Sequence, residues 1–180
     1  MNPHPRLLRP PPDEYGSYFG KYIALPPEGD IVAFLESQLR EIEDLLKGLA
    51  ESESLVHHPP YTWSIKQVVG HLSDCERVFG YRALWIARNN STPLASFDEN
   101  EFMRFADFDA WPIKEIFGEF AVVRRSSLYL FQHLDADGWL RRGLVGEHRT
   151  TVRAVAHVIA GHAQHHLDIL HKRVGHRLSR

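Results

Sequence analysis

Apolar residues return every three or four positions in four separate segments of the chain, which is the spacing of a helix with one buried face. The first segment follows Asp30, a residue type that favours the N-cap of a helix. The other segments also begin beside residues typical of a helix start, which are Thr62 or Ser64, Pro112, and Thr150 or Thr151. The predicted helices cover about 31–49, 65–89, 112–134 and 150–171.

Four amphipathic helices of this length predict an all-α fold, a four-helix bundle over residues 29–180. Alternation of apolar and polar residues does not recur often enough to predict a sheet. The segment "LVGEHRT", which precedes the fourth helix, is interpreted as a connector.

Residues 1–28 differ from the rest because they are rich in proline and tyrosine. Proline fixes φ and lacks a backbone donor, so we expect an extended arm and not a helix. Its aromatic residues predict that the arm packs on the bundle; they are Tyr15, Tyr18, Phe19 and Tyr22. A second irregular segment, "NNSTPLASFDENEFMRFADFDAWP", is long for a loop in a compact domain, and loops of such length are usually functional.

Composition narrows the class of protein. The 180 residues are 43% hydrophobic and 24% charged, which is typical of one globular domain. A net charge of -2 without a basic stripe argues against nucleic-acid binding. No apolar run is long enough to span a membrane, and the first residues lack the apolar region of a secretory signal. The single cysteine, Cys75, excludes an intrachain disulfide and favours a reducing compartment, so we expect a cytoplasmic protein.

Histidine is the unusual residue, with twelve in the chain and a cluster in the last predicted helix. His162 and His166 fall on its apolar side, four residues apart, where two neutral imidazoles can share one metal ion. His165 is rotated by about 100° from His166 around a 3.6-residue helix and should flank such a site. A metal site needs a further ligand, and His71 in the second predicted helix is the candidate. A buried histidine that is merely hydrogen-bonded is the competing interpretation.

The sequence does not contain the motifs of several other enzyme classes. "HAQHH" has Gln164 where the zinc-protease motif HExxH has its glutamate. The ExxH motif of di-iron carboxylate bundles does not occur, nor does a phosphate-binding Walker loop or a GxSxG nucleophile motif.

Two long stretches, "YTWSIKQVVGHLSDCERVFGYRALWIAR" and "TTVRAVAHVIAGHAQHHLDIL", resemble the DinB-like superfamily, particularly its branch of YfiT-like metal-dependent hydrolases. The segments "YIALPPEGDI" and "PLASFDEN" extend the resemblance over nearly the whole chain. The resemblance implies a four-helix bundle that holds one divalent metal ion, zinc, nickel or iron, on His71, His162 and His166. It also implies relatives that are transferases or isomerases using low-molecular-weight thiols such as bacillithiol or mycothiol, and frequent homodimers.

Several neighbouring residues are weaker candidates for roles in the site. His165 could be an acid or base beside the metal, and Asp98 or Glu99 in the long loop could supply a carboxylate base. Asp74 could orient the His71 ring, and Cys75 could in principle be a ligand. In most proteins, however, such acids are solvated carboxylates, and a cysteine on an apolar stripe occupies a core position.

Two functional hypotheses follow. In the first, the protein is a hydrolase or a low-molecular-weight-thiol S-transferase, and its metal ion activates water or a thiolate against a small-molecule substrate. In the second, it is a non-catalytic, dimerising stress-response or binding module with a structural or vestigial metal site.

Overall fold

Four long helices carry the fold in residues 3–175, which are the part of the chain that this computed structural model describes. Shorter helices and one hairpin connect them. The helices are α1 Gly20–Ile23, α2 Ile31–Leu46, α3 Glu51–Ser54, α4 Ile65–Ala87, α5 Glu99–Phe105, α6 Ile113–Gln132, α7 Ala136–Leu140 and α8 Val152–Gly175; the strands are β1 Arg142–Val145 and β2 His148–Thr151.

The long helices begin where the sequence predicts. The Asp30 side chain accepts a hydrogen bond from Val32 N at 3.0 Å, and Ser64 Oγ accepts one from Gln67 N at 3.0 Å. Thr151, and not Thr150, starts α8, because its Oγ1 accepts from Ala154 N at 3.0 Å. Such bonds satisfy N–H groups that have no partner within the helix. α2 ends three residues early, at Leu46, shortly before Gly48 turns the chain with φ 74°.

The predicted all-α bundle is confirmed: α4 packs against α6 and α8, and α2 packs against α8 and α6. Its core divides into two clusters of apolar side chains, one around Phe131, Trp139 and Val155 and the other around Phe120 and Leu167. No helix within residues 3–175 combines the length and apolar character needed to cross a bilayer.

The expectation of no sheet was wrong at one place. β1 and β2 form an antiparallel hairpin over the segment interpreted as a connector, with Arg142 opposite Thr151 and Val145 opposite His148. Gly146, at φ 57°, makes the tight turn between them. Each strand has only four residues, too few for an alternating pattern to stand out.

The segment before α2 is not extended throughout. It forms 3₁₀ turns at Pro5–Leu7, Pro12–Glu14 and Ser17–Phe19, followed by α1. Proline opens two of these turns, where its fixed φ suits a helical start and no donor is lost. The buried Glu14 carboxylate accepts from Thr151 Oγ1 at 2.8 Å and from Arg153 Nε at 3.0 Å, which ties this segment to the start of α8.

Candidate metal centre

Three histidine side chains meet between α4 and α8, and we call them the three-His cluster: His71, His162 and His166. One ring nitrogen from each lies within 4.8 Å of the others. His71 Nε2 is 3.0 Å from His162 Nε2, and the three ring centroids are 4.7 to 4.9 Å apart. All three side chains are buried. The four-residue spacing on α8 places two of them on one face, and the packing of α4 against α8 brings the third.

Burial keeps these imidazoles neutral. It lowers the pKa of His71 to about 4, with a smaller contribution from the charge of His165. The pKa values of His162 and His166 lie well below the ordinary value, chiefly because of burial and then because of neighbouring histidines. A neutral imidazole keeps a lone pair on one nitrogen, which is the form that binds a metal ion.

The cluster does not satisfy its own polar atoms. His166 Nδ1 is buried and has no hydrogen-bond partner within residues 3–175. The 3.0 Å contact between His71 and His162 can hold at most one proton between its two nitrogens. Buried polar atoms without partners are costly, and three converging neutral imidazoles are a donor set that suits zinc, nickel or iron. The residues present therefore fit a divalent metal ion.

Aromatic side chains surround the cluster. The Trp63 ring lies 4.8 Å from that of His71, and the Tyr22 ring lies 5.6 Å from that of His162. Tyr22 comes from the N-terminal segment, which approaches α8 closely at Gly161: a Cβ there would lie 1.9 Å from the Tyr22 carbonyl oxygen. Tyr22 was not predicted as a site residue, and only the glycine beside His162 could have signalled the close approach.

A cavity of about 560 Å³ reaches the cluster at His71 and His162. Its walls combine aromatic side chains with charged side chains from the long loop, the hairpin and α4. Beyond the cluster, its lining includes Phe79, Arg82, Phe97, Glu99, Glu147 and His148. A smaller cavity of about 330 Å³ reaches His166 from another side, between Trp63 and Arg173.

The weaker candidates fall at different places. Asp98 is the N-cap of α5, where it accepts from Asn100 N at 2.8 Å, whereas the next residue, Glu99, lines the larger cavity. His165 is exposed on α8, with its ring 5.1 Å from that of His166 and 5.8 Å from that of Tyr22.

Three further side chains near the cluster have contacts of their own. The Asp74 carboxylate lies 3.5 Å from the Arg77 guanidinium. Gln164 donates to Asp168 at 2.9 Å. Cys75 Sγ is 3.6 Å from both ring nitrogens of His71, but among the described residues it is not one of the ligand atoms that lie within 4.8 Å of one another.

The family model of the DinB superfamily matches residues 35–170, which include all three histidines of the cluster. The chain belongs to the DinB superfamily. No functionally curated protein matches its sequence.

The fold occurs in other solved structures, including two that match over most of this chain. YfiT from Bacillus subtilis, described as a probable metal-dependent hydrolase with an unusual four-helix bundle topology, is 16% identical and superposes with a TM-score of 0.72 over 92% of this chain and 93% of its own. The mycothiol-dependent maleylpyruvate isomerase is 12% identical, with a TM-score of 0.66 over 83% of this chain and 62% of its own. This DinB-superfamily chain thus spans less than two thirds of the isomerase.

Proposed function

We propose that this protein is a metal-dependent enzyme that holds one divalent ion on His71, His162 and His166 and acts on a small molecule. The observation that carries the proposal is the convergence of three neutral, buried imidazoles at a cavity of about 560 Å³. That volume lies within the range of about 300–1,000 Å³ common for small-molecule sites. The descriptions of YfiT as a probable metal-dependent hydrolase and of a mycothiol-dependent isomerase support this choice.

A divalent ion bound by three imidazoles supplies Lewis acidity that activates water or a thiol as a nucleophile. The side chains around the cavity supply the rest. Glu99 presents a carboxylate that can accept a proton from a nucleophile or substrate. Burial, followed by the charges of Tyr18 and Glu99, raises the pKa of Tyr22, so that its hydroxyl stays protonated and can donate a hydrogen bond. Glu99 is a better placed base than Asp98, and roles for Asp98 and His165 stay predictions.

The test of the metal site is stoichiometry. Wild-type protein that has been stripped of metal and reloaded with zinc, nickel or iron should bind one equivalent by elemental analysis. His71→Ala, His162→Ala and His166→Ala should each bind far less. His157→Ala is the matched control, because His157 is buried on the same helix but outside the cluster and should keep full occupancy. Full occupancy in all three cluster variants would refute the proposal.

Hydrolysis and thiol transfer can be separated with cobalt-substituted protein. If a low-molecular-weight thiol is the cosubstrate, adding mycothiol or bacillithiol should produce a thiolate-to-cobalt absorption band that is absent in His162→Ala. An unchanged spectrum at saturating thiol would exclude the transferase and leave the hydrolase. The competing non-catalytic function, a structural metal in a dimerising module, requires a closed site, and the cavity at His71 and His162 argues against it.

We also propose that the protein is a homodimer. A groove between α4 and α6 exposes apolar side chains from Tyr81, Leu84 and Val122, and such patches often mark interfaces. Light scattering should give twice the chain mass for wild type and the monomer mass for Val122→Glu. Val56→Glu, at an exposed apolar position outside the groove, is the control and should stay dimeric.

A further inference from the structure

Arg82 is a buried cation that lacks a carboxylate partner. The residue is only 5% exposed, and its one hydrogen bond to the described part of the chain runs from Nη2 to the carbonyl oxygen of Ala95 at 2.7 Å. Within residues 3–174, no carboxylate oxygen lies within 4 Å of its guanidinium. Arg124, the fully enclosed arginine of α6, is by contrast paired with Glu76. Burying a charge without a counter-charge is costly. The guanidinium nitrogens of Arg82 are not among the fully enclosed polar atoms that lack a partner, so they remain open to the cavity.

Arg82 lines the cavity that reaches the three-His cluster. Its guanidinium lies 5.3 Å from the ring centroid of Phe97 and 5.7 Å from that of Phe79, while the bond to Ala95 fixes its orientation. The remaining N–H groups have no protein acceptor among the described residues. A cation that lies beside two rings and is open to a cavity is a ready site for an anion.

The same helix carries both ends of this cavity. His71 and Arg82 are eleven residues apart on α4, which corresponds to about 16 Å along the helix axis at 1.5 Å per residue. Helical side chains lean towards the N-terminus, and the position of the guanidinium near Phe79, three residues earlier, follows that rule. The cationic group therefore lies nearer to the cluster than the separation of the two backbone positions along the helix.

On the basis of the proposed function, we propose that Arg82 is the substrate-recognition residue and binds the carboxylate of a small molecule. The apolar body of this molecule lies against Phe79 and Phe97, whose rings pack edge to face with centroids 5.9 Å apart, and its reacting group reaches the three-His cluster. The planar guanidinium matches a carboxylate. Glu99 and Glu147 also line the cavity, and their negative charges disfavour a dianion such as a phosphate monoester. His148 at the same wall is exposed and does not replace the buried guanidinium.

The experiment measures binding and does not require turnover. The probes are 3-phenylpropionate and 4-phenylbutyrate, each with its neutral amide as the matched ligand, titrated calorimetrically into metal-free and metal-loaded protein. We expect wild type to bind the carboxylates at least tenfold more tightly than the amides in both states. Arg82→Gln and Arg82→Met should each lose that preference, and Arg82→Lys should keep part of it. Arg77→Gln, at an exposed arginine on the same helix, should behave as wild type.

The outcomes separate this proposal from the metal site. A preference for carboxylates that persists in metal-free wild type and in His162→Ala, but disappears in both Arg82 variants, supports Arg82 even if no metal is ever bound. A preference that disappears in His162→Ala and survives in Arg82→Gln would place the carboxylate on the metal and overturn the proposal. Equal affinity for carboxylates and amides in folded wild type would overturn it as well. Circular dichroism of every variant establishes that the comparison is made on folded protein.

Discussion

Two groups of buried polar side chains both include residues of α4 and differ in how their hydrogen-bonding groups are satisfied. The first joins Arg124 to Glu76: Arg124 Nε donates to both carboxylate oxygens at 2.7 and 2.8 Å, and Nη1 donates to the Leu35 carbonyl oxygen at 3.0 Å. The second is the three-His cluster, whose nitrogens face one another and leave His166 Nδ1 without a partner.

The two groups differ in whether opposite charges and hydrogen-bond partners meet. In the Arg124–Glu76 pair, opposite charges and a backbone carbonyl meet most of the needs of both side chains, although Arg124 Nη2 remains unbonded. The three-His cluster contains only neutral groups of one kind, with no carboxylate among them. A buried network whose donors and acceptors pair with one another supports the fold. Buried polar atoms that converge without partners instead require a bound ion or ligand. Substitutions in each group can test that distinction.

The largest effect is expected from Glu76→Gln. The amide keeps the size of the side chain but leaves the buried guanidinium of Arg124 without its counter-charge. Breaking one side of a buried ion pair costs about 3–5 kcal/mol, so the free energy of unfolding should fall by that amount in urea titrations. A loss below about 1 kcal/mol would show that the pair does not support the fold.

Acid should weaken the metal-free fold through its buried histidines. The pKa of His71 and that of His157 are both lowered to about 4, mainly by burial, whereas an unfolded chain has the ordinary value of 6.5. The unfolded chain therefore takes up protons first as the pH falls. The contribution of these histidines to the free energy of unfolding is complete above pH 6.5. It is lost as the pH falls towards about 4, by about 3 kcal/mol for each histidine.

Urea unfolding at several pH values between about 7.5 and about 4.5 tests whether the metal-free protein loses stability as the pH falls. His157→Leu should flatten the profile by the share of one histidine, about 3 kcal/mol. A metal-free wild-type protein that is equally stable at both ends of the range would contradict the burial argument.

Metal binding should raise the free energy of unfolding through the three-His cluster and not through the Arg124–Glu76 pair. At a free metal concentration about 100 times the dissociation constant, wild type should gain about 2.7 kcal/mol in its free energy of unfolding. Glu76→Gln, if folded, should gain as much, because its cluster is intact. His162→Ala should gain nothing, whereas His157→Ala should gain the full amount. Equal gains in His162→Ala and wild type would mean that the metal binds elsewhere.

The smallest effect is expected at the surface. Glu119 pairs with Arg77 at 2.6 Å, but both side chains are more than a third exposed. Water screens such a pair, so Glu119→Gln should change the free energy of unfolding by no more than about 1 kcal/mol. If Glu119→Gln lost as much stability as Glu76→Gln, burial could not explain why the Arg124–Glu76 pair matters more than the Arg77–Glu119 pair.

Much of the fold follows from local rules. The spacing of apolar residues locates the four long helices, and the side chains of Asp30, Ser64 and Thr151 mark three of their starts within a residue or two. The hairpin could not be predicted because strands of four residues carry little periodicity. The short turns before α1 could not be predicted because proline indicates extended chain and helical turn starts equally well.

The sequence by itself determined that His162 and His166 share a face of one helix, because a separation of four residues is a local property. Only the tertiary structure decided that His71 meets them, that Tyr22 covers them beside Gly161, and that Glu99 and not Asp98 faces the cavity. The tertiary structure alone also decided that Arg82 is buried without a carboxylate partner among the described residues. These contacts join residues far apart in the chain, and packing of whole helices and loops sets them, so no local spacing encodes them.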